Sequence, residues 1–353
     1  MSEIIELLRI LGPRNAVRLK RRYDQALPHV RGYVATQCLW AVANCGLADR
    51  LLVQGGVGVD VAEFAAEKGL DRHVLESVLS YLDGLRLVRF EAGRALLLEN
   101  GRRLLQDTRG LFELTYAYEP LLARLDDLLT GRAVQGRDVA RRIEYVGRGS
   151  GLLCRDLPYP VMTEIIARHG VRRVLDLGCG DLAFLFFLCA RIPVVSAVGV
   201  DIDPRMVAYG RSLLKDNPLS GRIEVLEGDL LNLDPLLSEG RLAGVDCVTA
   251  VDTFHEYLWD GEQIVLDALA KLRGQFPQAL FVIGEFCNQP HEQLRKRPTA
   301  FLEHHLFHDL TNQRIGDAAL WRRLFRQAGF QVVEEKVFNL VGHGYFALQS
   351  KAP

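Results

Sequence analysis

Ten consecutive residues, Val251-Asp252-Thr253-Phe254-His255-Glu256-Tyr257-Leu258-Trp259-Asp260, gather an imidazole, three carboxylates, two hydroxyls and an indole. A neutral histidine such as His255 takes a proton from an acceptor atom as that atom attacks an electrophile. A second group, Glu303 to Gln313, holds His304, His305 and His308, three of the nine histidines. On a helix His304 and His308 share one face, as two ligands of one metal must, and His305 points elsewhere. His255 and Glu256 with His308 or His304 make a two-histidine, one-carboxylate set suited to iron or zinc with open positions. Such a centre chelates a 2-oxo acid through its carboxylate and keto oxygens. It acidifies the neighbouring C–H by stabilising the enolate, which makes carbon the nucleophile. Alternatively, the three histidines decorate a helix beside the pocket and bind no metal.

The electrophile has its own signal. Val174-Leu175-Asp176-Leu177-Gly178-Cys179-Gly180 is an apolar strand ending in a glycine turn, and Gly199-Val200-Asp201 is a second strand tipped with a carboxylate. That pairing reads as a nucleotide crevice, with Asp201 accepting from both ribose hydroxyls. The turn lacks the third glycine of a dinucleotide fingerprint, because Asp181-Leu182-Ala183 follows Gly180. Asp176 would repel a pyrophosphate and attract a cation, which favours S-adenosylmethionine over NAD.

These residues resemble the first motif of class I methyltransferases, D-x-G-x-G. Asp201 matches that family's ribose acid, and Asp229-Leu230, after Ile223-Glu224-Val225-Leu226, matches the pair bracketing the adenine. In the dimeric small-molecule O-methyltransferases the loop after the fourth strand carries a His-Asp-Trp-type sequence whose histidine is the base. His255 matches that histidine, Glu256 stands where the aspartate would be, and Trp259 is displaced. The histidine segment resembles the metal-dependent 2-oxo acid C-methyltransferases that share this architecture. The resemblance implies a homodimer acting on a small biosynthetic molecule, by C-methylation beside the carbonyl of a 2-oxo acid. Base-catalysed O-methylation of a phenol or other hydroxyl is the alternative, and a non-catalytic winged-helix regulator a remoter one.

The expected elements fit that reading. Strands at 173–176, 197–201, 223–227, 247–250, 280–284, 331–338 and 344–348 alternate with helices, as in a Rossmann-like seven-stranded α/β sheet. Upstream, Val34, Cys38 and Val42 mark a helix ending before Gly46. Asp60, with Glu63, caps a second helix, and Asp71 caps a third with Val74, Val78 and Leu82 as its inner stripe. Leu87–Phe90 and Ala95–Leu98 form a hairpin turning at Glu91-Ala92-Gly93, which completes a winged helix. The expected organisation is a winged-helix dimerisation domain over 1–110, connecting helices over 111–160 and a catalytic domain over 161–353. An Asn100-Gly101 step precedes the next helix, and the glycine-rich step Gly147-Arg148-Gly149-Ser150-Gly151 leads into the catalytic domain.

Composition sets limits. A formal net charge of −1, with only Arg72 and His73 as cations on the third helix, gives no phosphate footprint, so nucleic acid is not the expected partner. Met1-Ser2-Glu3-Ile4-Ile5-Glu6 has no basic leader and no apolar run reaches bilayer length, so a cytoplasmic location is expected. The seven cysteines form no C-x-x-C pair and read as free, buried thiols. Arg148 and Arg155 are candidates for an acceptor carboxylate. Asp252 is a candidate to orient the cofactor or cap a helix, Glu285 is placed to face the crevice, and His343 reads as structural.

Overall fold

The computed structural model describes residues 3–351, with Met1, Ser2, Ala352 and Pro353 lying outside the described residues, and with them the outer ends of the expected dimerisation and catalytic domains. Two compact units divide between Tyr116 and Ala117.

In the first unit one helix runs from Glu3 to Asn44, interrupted by a non-helical Gly12 (φ 70°, ψ 154°). Its buried residues are Leu39, Val42 and Ala43, an i, i+3, i+4 stripe, and Val34 is exposed. Gly46 follows in the left-handed region (φ 82°). The caps form as the side chains dictate, with Asp60 accepting from Glu63 N and Asp71 from Val74 N, each at 3.0 Å. The helix Arg72–Gly84 buries Leu75, Leu79 and Leu82; of the expected stripe Leu82 is buried and Val78 packs half-buried on the same core, whereas Val74 stands in solvent.

Strands β1 (Val59–Asp60), β2 (Val88–Glu91) and β3 (Arg94–Leu97) pair antiparallel in the order β1-β3-β2. The hairpin turns on Ala92 and Gly93, both with positive φ, as a two-residue turn requires. Gly101 lies inside the helix Glu99–Gln106 rather than before it. A Cβ there would sit 2.0 Å from the carbonyl oxygen of Leu87.

The second unit is built on β4 (Arg173–Leu177), β5 (Ser196–Asp201), β6 (Ile223–Glu227), β7 (Cys247–Val251), β8 (Leu280–Phe286), β9 (Phe330–Phe338) and β10 (His343–Ser350). Their order is β6-β5-β4-β7-β8-β10-β9, with β10 antiparallel to both neighbours. All seven fall within a few residues of their expected positions. Alternation along β4 sends Leu175 and Leu177 into one apolar layer and Val174 into the other. Asp176 shares the face of Val174, which is why a carboxylate at this position is buried. Gly147 to Gly151 are not a loop: they lie within the helix Ile143–Cys154, where a Cβ on Gly151 would meet Ala183 Cβ at 3.3 Å. The glycines let this helix close on the mouth of the glycine turn. No helix among the described residues is long and apolar enough to cross a membrane.

Replacing Gly101 by alanine forces the added methyl onto backbone that cannot step aside. Denaturant unfolding of Gly101→Ala should show a loss of about 1–3 kcal/mol; an unchanged midpoint and slope would contradict the contact.

Candidate functional site

A crevice of about 360 Å³ opens at the carboxyl ends of β6, β5, β4 and β7. Asp176, Asp181, Asp201, Asp203, Asp252 and Glu256 line it, and among the described residues no lysine, arginine or histidine does. Asp203 is paired with Arg205 at 2.6 Å and Glu256 with Arg141 at 2.8 Å; the excess of carboxylate that remains suits a positively charged ligand and would repel phosphate.

The glycine turn gets its shape from contacts on both sides. Gly178 (φ 69°) lies against Thr253, so that a Cβ would fall 2.8 Å from Thr253 Cγ2. Thr253 is itself fixed by donating from Oγ1 to the carbonyls of Leu177 and Val251, each at 3.1 Å. Gly180 (φ 52°) donates its amide to Asp201 Oδ2 at 2.9 Å, and Asp203 N donates to Asp201 Oδ1 at the same distance. Asp201 therefore ties the glycine turn to the tip of β5 and keeps further lone pairs for ribose hydroxyls. Ala183 stands where a dinucleotide turn has its third glycine, and Leu182 before it sits at φ 64° with its side chain against Gly199 and Gly210. At the tip of β6, Leu230 lines the crevice beside Gly228, and the Asp229 carboxylate closes a local turn by accepting from Leu231 N at 2.9 Å.

Asp176 accepts from Thr249 Oγ1 at 2.7 Å. Burial raises its carboxyl to about 7, with the charge of Asp201 adding and the Thr249 bond opposing.

In the loop after β7, His255 is buried and its Nδ1 stands 3.0 Å from Glu285 Oε2. Glu285 Oε1 accepts from Thr253 N at 3.0 Å and Phe254 N at 2.5 Å. Burial pulls the imidazole of His255 down, but Glu285, with Glu256 and Asp252 behind it, reverses this and lifts it above its usual range. A carboxylate can only accept, so Nδ1 carries the proton and Nε2 is left as the basic nitrogen. Sequence reasoning placed Glu285 beside the crevice but assigned the carboxylate role to Glu256. The period-2 geometry of β8 could have separated them, because Glu285 lies one residue from the end of a strand adjacent to β7.

Glu256 Oε1 is taken by Arg141 Nη2 at 2.8 Å and Gln313 Nε2 at 2.7 Å. Arg141 also donates to Gln313 Oε1 at 3.0 Å and Tyr118 Oη at 3.3 Å, and its guanidinium is largely covered. Arg141 and Gln313 carried no recognisable motif. Arg148 lies over the ring of Tyr145, and Arg155 is within electrostatic reach of Asp181; neither lines the crevice.

His304 and His308 share a face of the helix Phe301–Leu310, with ring centroids 5.6 Å apart, and His308 stands 5.1 Å from His255. Phe286 contacts His255, His304, His308 and His343. Burial holds His304 down to about 4 and His308 well below its usual range, so both rings are neutral. Among the described residues no three His, Cys, Asp or Glu side chains are placed to hold a metal ion. The expected set of His255, Glu256, His304 and His308 is not assembled, because Glu256 is engaged by Arg141 and Gln313 and the His255 Nδ1 by Glu285.

The raised carboxyl of Asp176 has a signed consequence. Its pKa is higher in the fold than in the unfolded chain, so it costs nothing when both states are protonated. The cost grows as pH rises from the ordinary carboxylate range to about 7 and is constant above. Asp176→Asn keeps an acceptor for Thr249 and does not titrate. In thermal melts of the ligand-free protein, the variant's advantage should widen from pH 4 to 7 and then level off. A difference that stays flat with pH would refute the assignment.

Residues 174–273 match the methyltransferase domain family. Over 90% of this chain and 91% of its own length, the 2-ketoarginine methyltransferase of Streptomyces arginensis is 28% identical. Among solved structures, the mitomycin 7-O-methyltransferase MmcR superposes with a TM-score of 0.65 at 15% identity, covering 95% of this chain and 99% of its own. Human N-acetylserotonin methyltransferase, solved with S-adenosylmethionine, gives 0.63 at 17% identity, covering 94% and 98%. With the glycine turn, the ribose acid and a carboxylate-lined crevice on one sheet edge, the chain carries a class I S-adenosylmethionine-dependent methyltransferase domain.

Proposed function

We propose that the chain transfers the methyl group of S-adenosylmethionine to the carbon beside the carbonyl of a small 2-oxo acid. The observation that carries this reading is a buried proton acceptor, His255 on Glu285, in the same loop as a carboxylate paired with the covered Arg141. The relative named for 2-ketoarginine, itself a 2-oxo acid, supports the substrate class.

Arg141 exchanges the Glu256 carboxylate for that of the acceptor, which its planar fork binds through two parallel hydrogen bonds. Nε2 of His255 removes the proton from the carbon next to the keto group, and Glu285 offsets the charge of the imidazolium formed. The enolate carbon attacks the methyl group in line with the C–S bond. The electrons of that bond pass to sulfur, leaving S-adenosylhomocysteine and a methylated 2-oxo acid, and His255 releases its proton to water. Holding the two reactants in line supplies much of the rate. An O-methyltransferase would use the same dyad on a phenol, with oxygen as the attacking atom.

A metal-assisted form is favoured by one observation. His308 donates from Nδ1 to the His304 carbonyl at 2.7 Å, and its ring is neutral, which is how a protein presents Nε2 to a metal. In this form His255 and His308 would hold iron or zinc through Nε2, so that His255 would be a ligand rather than the base, and the metal would draw charge from the enolate as the proton leaves to water. Turnover lost on chelation and restored by metal selects this form, whereas turnover that survives thorough chelation selects the dyad alone.

The homodimer belongs to the same proposal. Ile4, Ile5, Ile10, Val30 and Tyr33 on the first helix are exposed, and a second copy is the partner that would cover them. Sedimentation should show a dimer that Val30→Asp combined with Tyr33→Asp converts to monomer; an unchanged sedimentation coefficient would remove this part.

With methyl-labelled donor and a panel of 2-oxo acids and phenols, label should appear on the carbon adjacent to the keto group, located by NMR of the product. Transfer to phenolic oxygen alone would sink the carbon reading. His255→Ala should lower kcat by roughly a hundredfold or more, and Glu285→Gln by at least about tenfold, with the donor KM little changed.

A further inference from the structure

A second histidine–carboxylate pair serves the cofactor crevice from the opposite face of β8. His343 Nε2 stands 2.7 Å from Asp252 Oδ1, with both side chains largely buried. Asp252 follows β7 and His343 opens β10, so β8 lies between them and the contact spans two strand spacings, about 9–10 Å. A side chain on β8 would block it. The residue there is Gly284, where an added Cβ would lie 3.4 Å from His343 Cε1 and 3.0 Å from Met162 Sδ. Alternation along β8 thus sends Glu285 to His255 on one face and leaves Gly284 as a gap for His343 on the other.

Asp252 is held in an unusual pose. Its φ is +52°, its amide donates to the Gly284 carbonyl at 2.9 Å, and Oδ2 accepts from Cys154 Sγ at 3.7 Å. A non-glycine residue in the left-handed region is strained unless its surroundings fix it. Here the fixed side chain lines the crevice.

The strand order says which part of the donor it meets. Leu230 stands at β6, Asp201 at β5, the glycine turn at β4 and Asp252 at β7, in spatial sequence. A donor with its ribose on Asp201 and its adenine towards Leu230 carries its amino-acid end across β4 to β7. We propose that Asp252 binds the α-ammonium group of S-adenosylmethionine and that His343, through the gap at Gly284, is the positioning residue that aims it. This rests on the cofactor reading above, and the test separates the two.

Calorimetric titration of the purified protein uses three ligands: S-adenosylmethionine, S-adenosylhomocysteine and 5′-methylthioadenosine, which has the nucleoside and sulfur but no amino-acid end. Wild-type protein that binds none of them would refute the cofactor reading itself. If wild type binds, Asp252→Asn should weaken the first two by roughly tenfold or more and leave the third within about twofold. Equal weakening of all three would make Asp252 merely structural. Weakening of S-adenosylmethionine alone would point to the sulfonium, and either result overturns the inference. His343→Leu should reproduce the ligand-selective loss to a smaller extent. His343→Gln, whose amide nitrogen reaches the place of Nε2, should restore affinity; failure to restore it overturns the positioning role.

Discussion

The carboxylate of Glu285 is the constraint on which the acceptor side of this molecule depends. Fully buried at the end of β8, it accepts from two consecutive backbone amides, Thr253 and Phe254, and from the ring of His255. Three donors compensate the burial of one anion, and each would be left unsatisfied without it. Because Thr253 is also the residue against which Gly178 packs, the same carboxylate stabilises the wall of the donor crevice. Base and donor site are therefore positioned through a single buried anion.

Electrostatics then divides the sheet edge into two regions. The donor crevice is lined by an excess of carboxylates, and burial raises the carboxyl of Asp176 there to about 7. A bound sulfonium or ammonium would favour its ionised form, so the desolvation cost in the empty fold is offset on binding. The acceptor side is the reverse, with Arg141 the covered cation and Glu256 its partner in the ligand-free state. The proposed anionic acceptor would compete with Glu256 for a guanidinium that is already positioned, which would leave little side-chain ordering to be done on binding.

Most of the fold was legible in the sequence because each parallel strand is buried on both faces and reads as a short apolar run between turn residues. The glycine turn and Asp201 were legible because the chemistry there requires particular residues at fixed spacing. What the sequence hid was pairing. Glu285, Arg141 and Gln313 lie 30, 114 and 58 positions from His255 and come together only through strand order and a helix packed across the sheet edge. The adjacent Glu256 was the obvious carboxylate, yet neighbours on a turn of helix point apart, and its side chain reaches Arg141. Gly147 to Gly151 misled for a related reason: glycines usually break a helix, but here they lie inside one, with Gly147 against Met206 and Gly151 against Ala183.

The two histidine–carboxylate pairs are best understood together. Both carboxylate–imidazole contacts cross from the β7 loop to a later strand, one using the Glu285 side chain and the other the space left by its neighbour Gly284. Adjacent residues of one strand face opposite ways, so a single step along β8 supplies both an anchor for the base and a passage for the histidine that holds Asp252. A register slip of β8 by one residue would exchange these roles, placing a carboxylate where His343 must pass and no partner beside His255. The antiparallel pairing of β10 on β8, with Tyr345 opposite Gly284 and Gly344 opposite Glu285, is what prevents it. Tyr345 is fully buried and Gly344 is packed against Cys287 and Phe346, so a slip would drive side chains into space that is already filled. The register of the last hairpin, which carries His343 itself, thus fixes the geometry of both dyads.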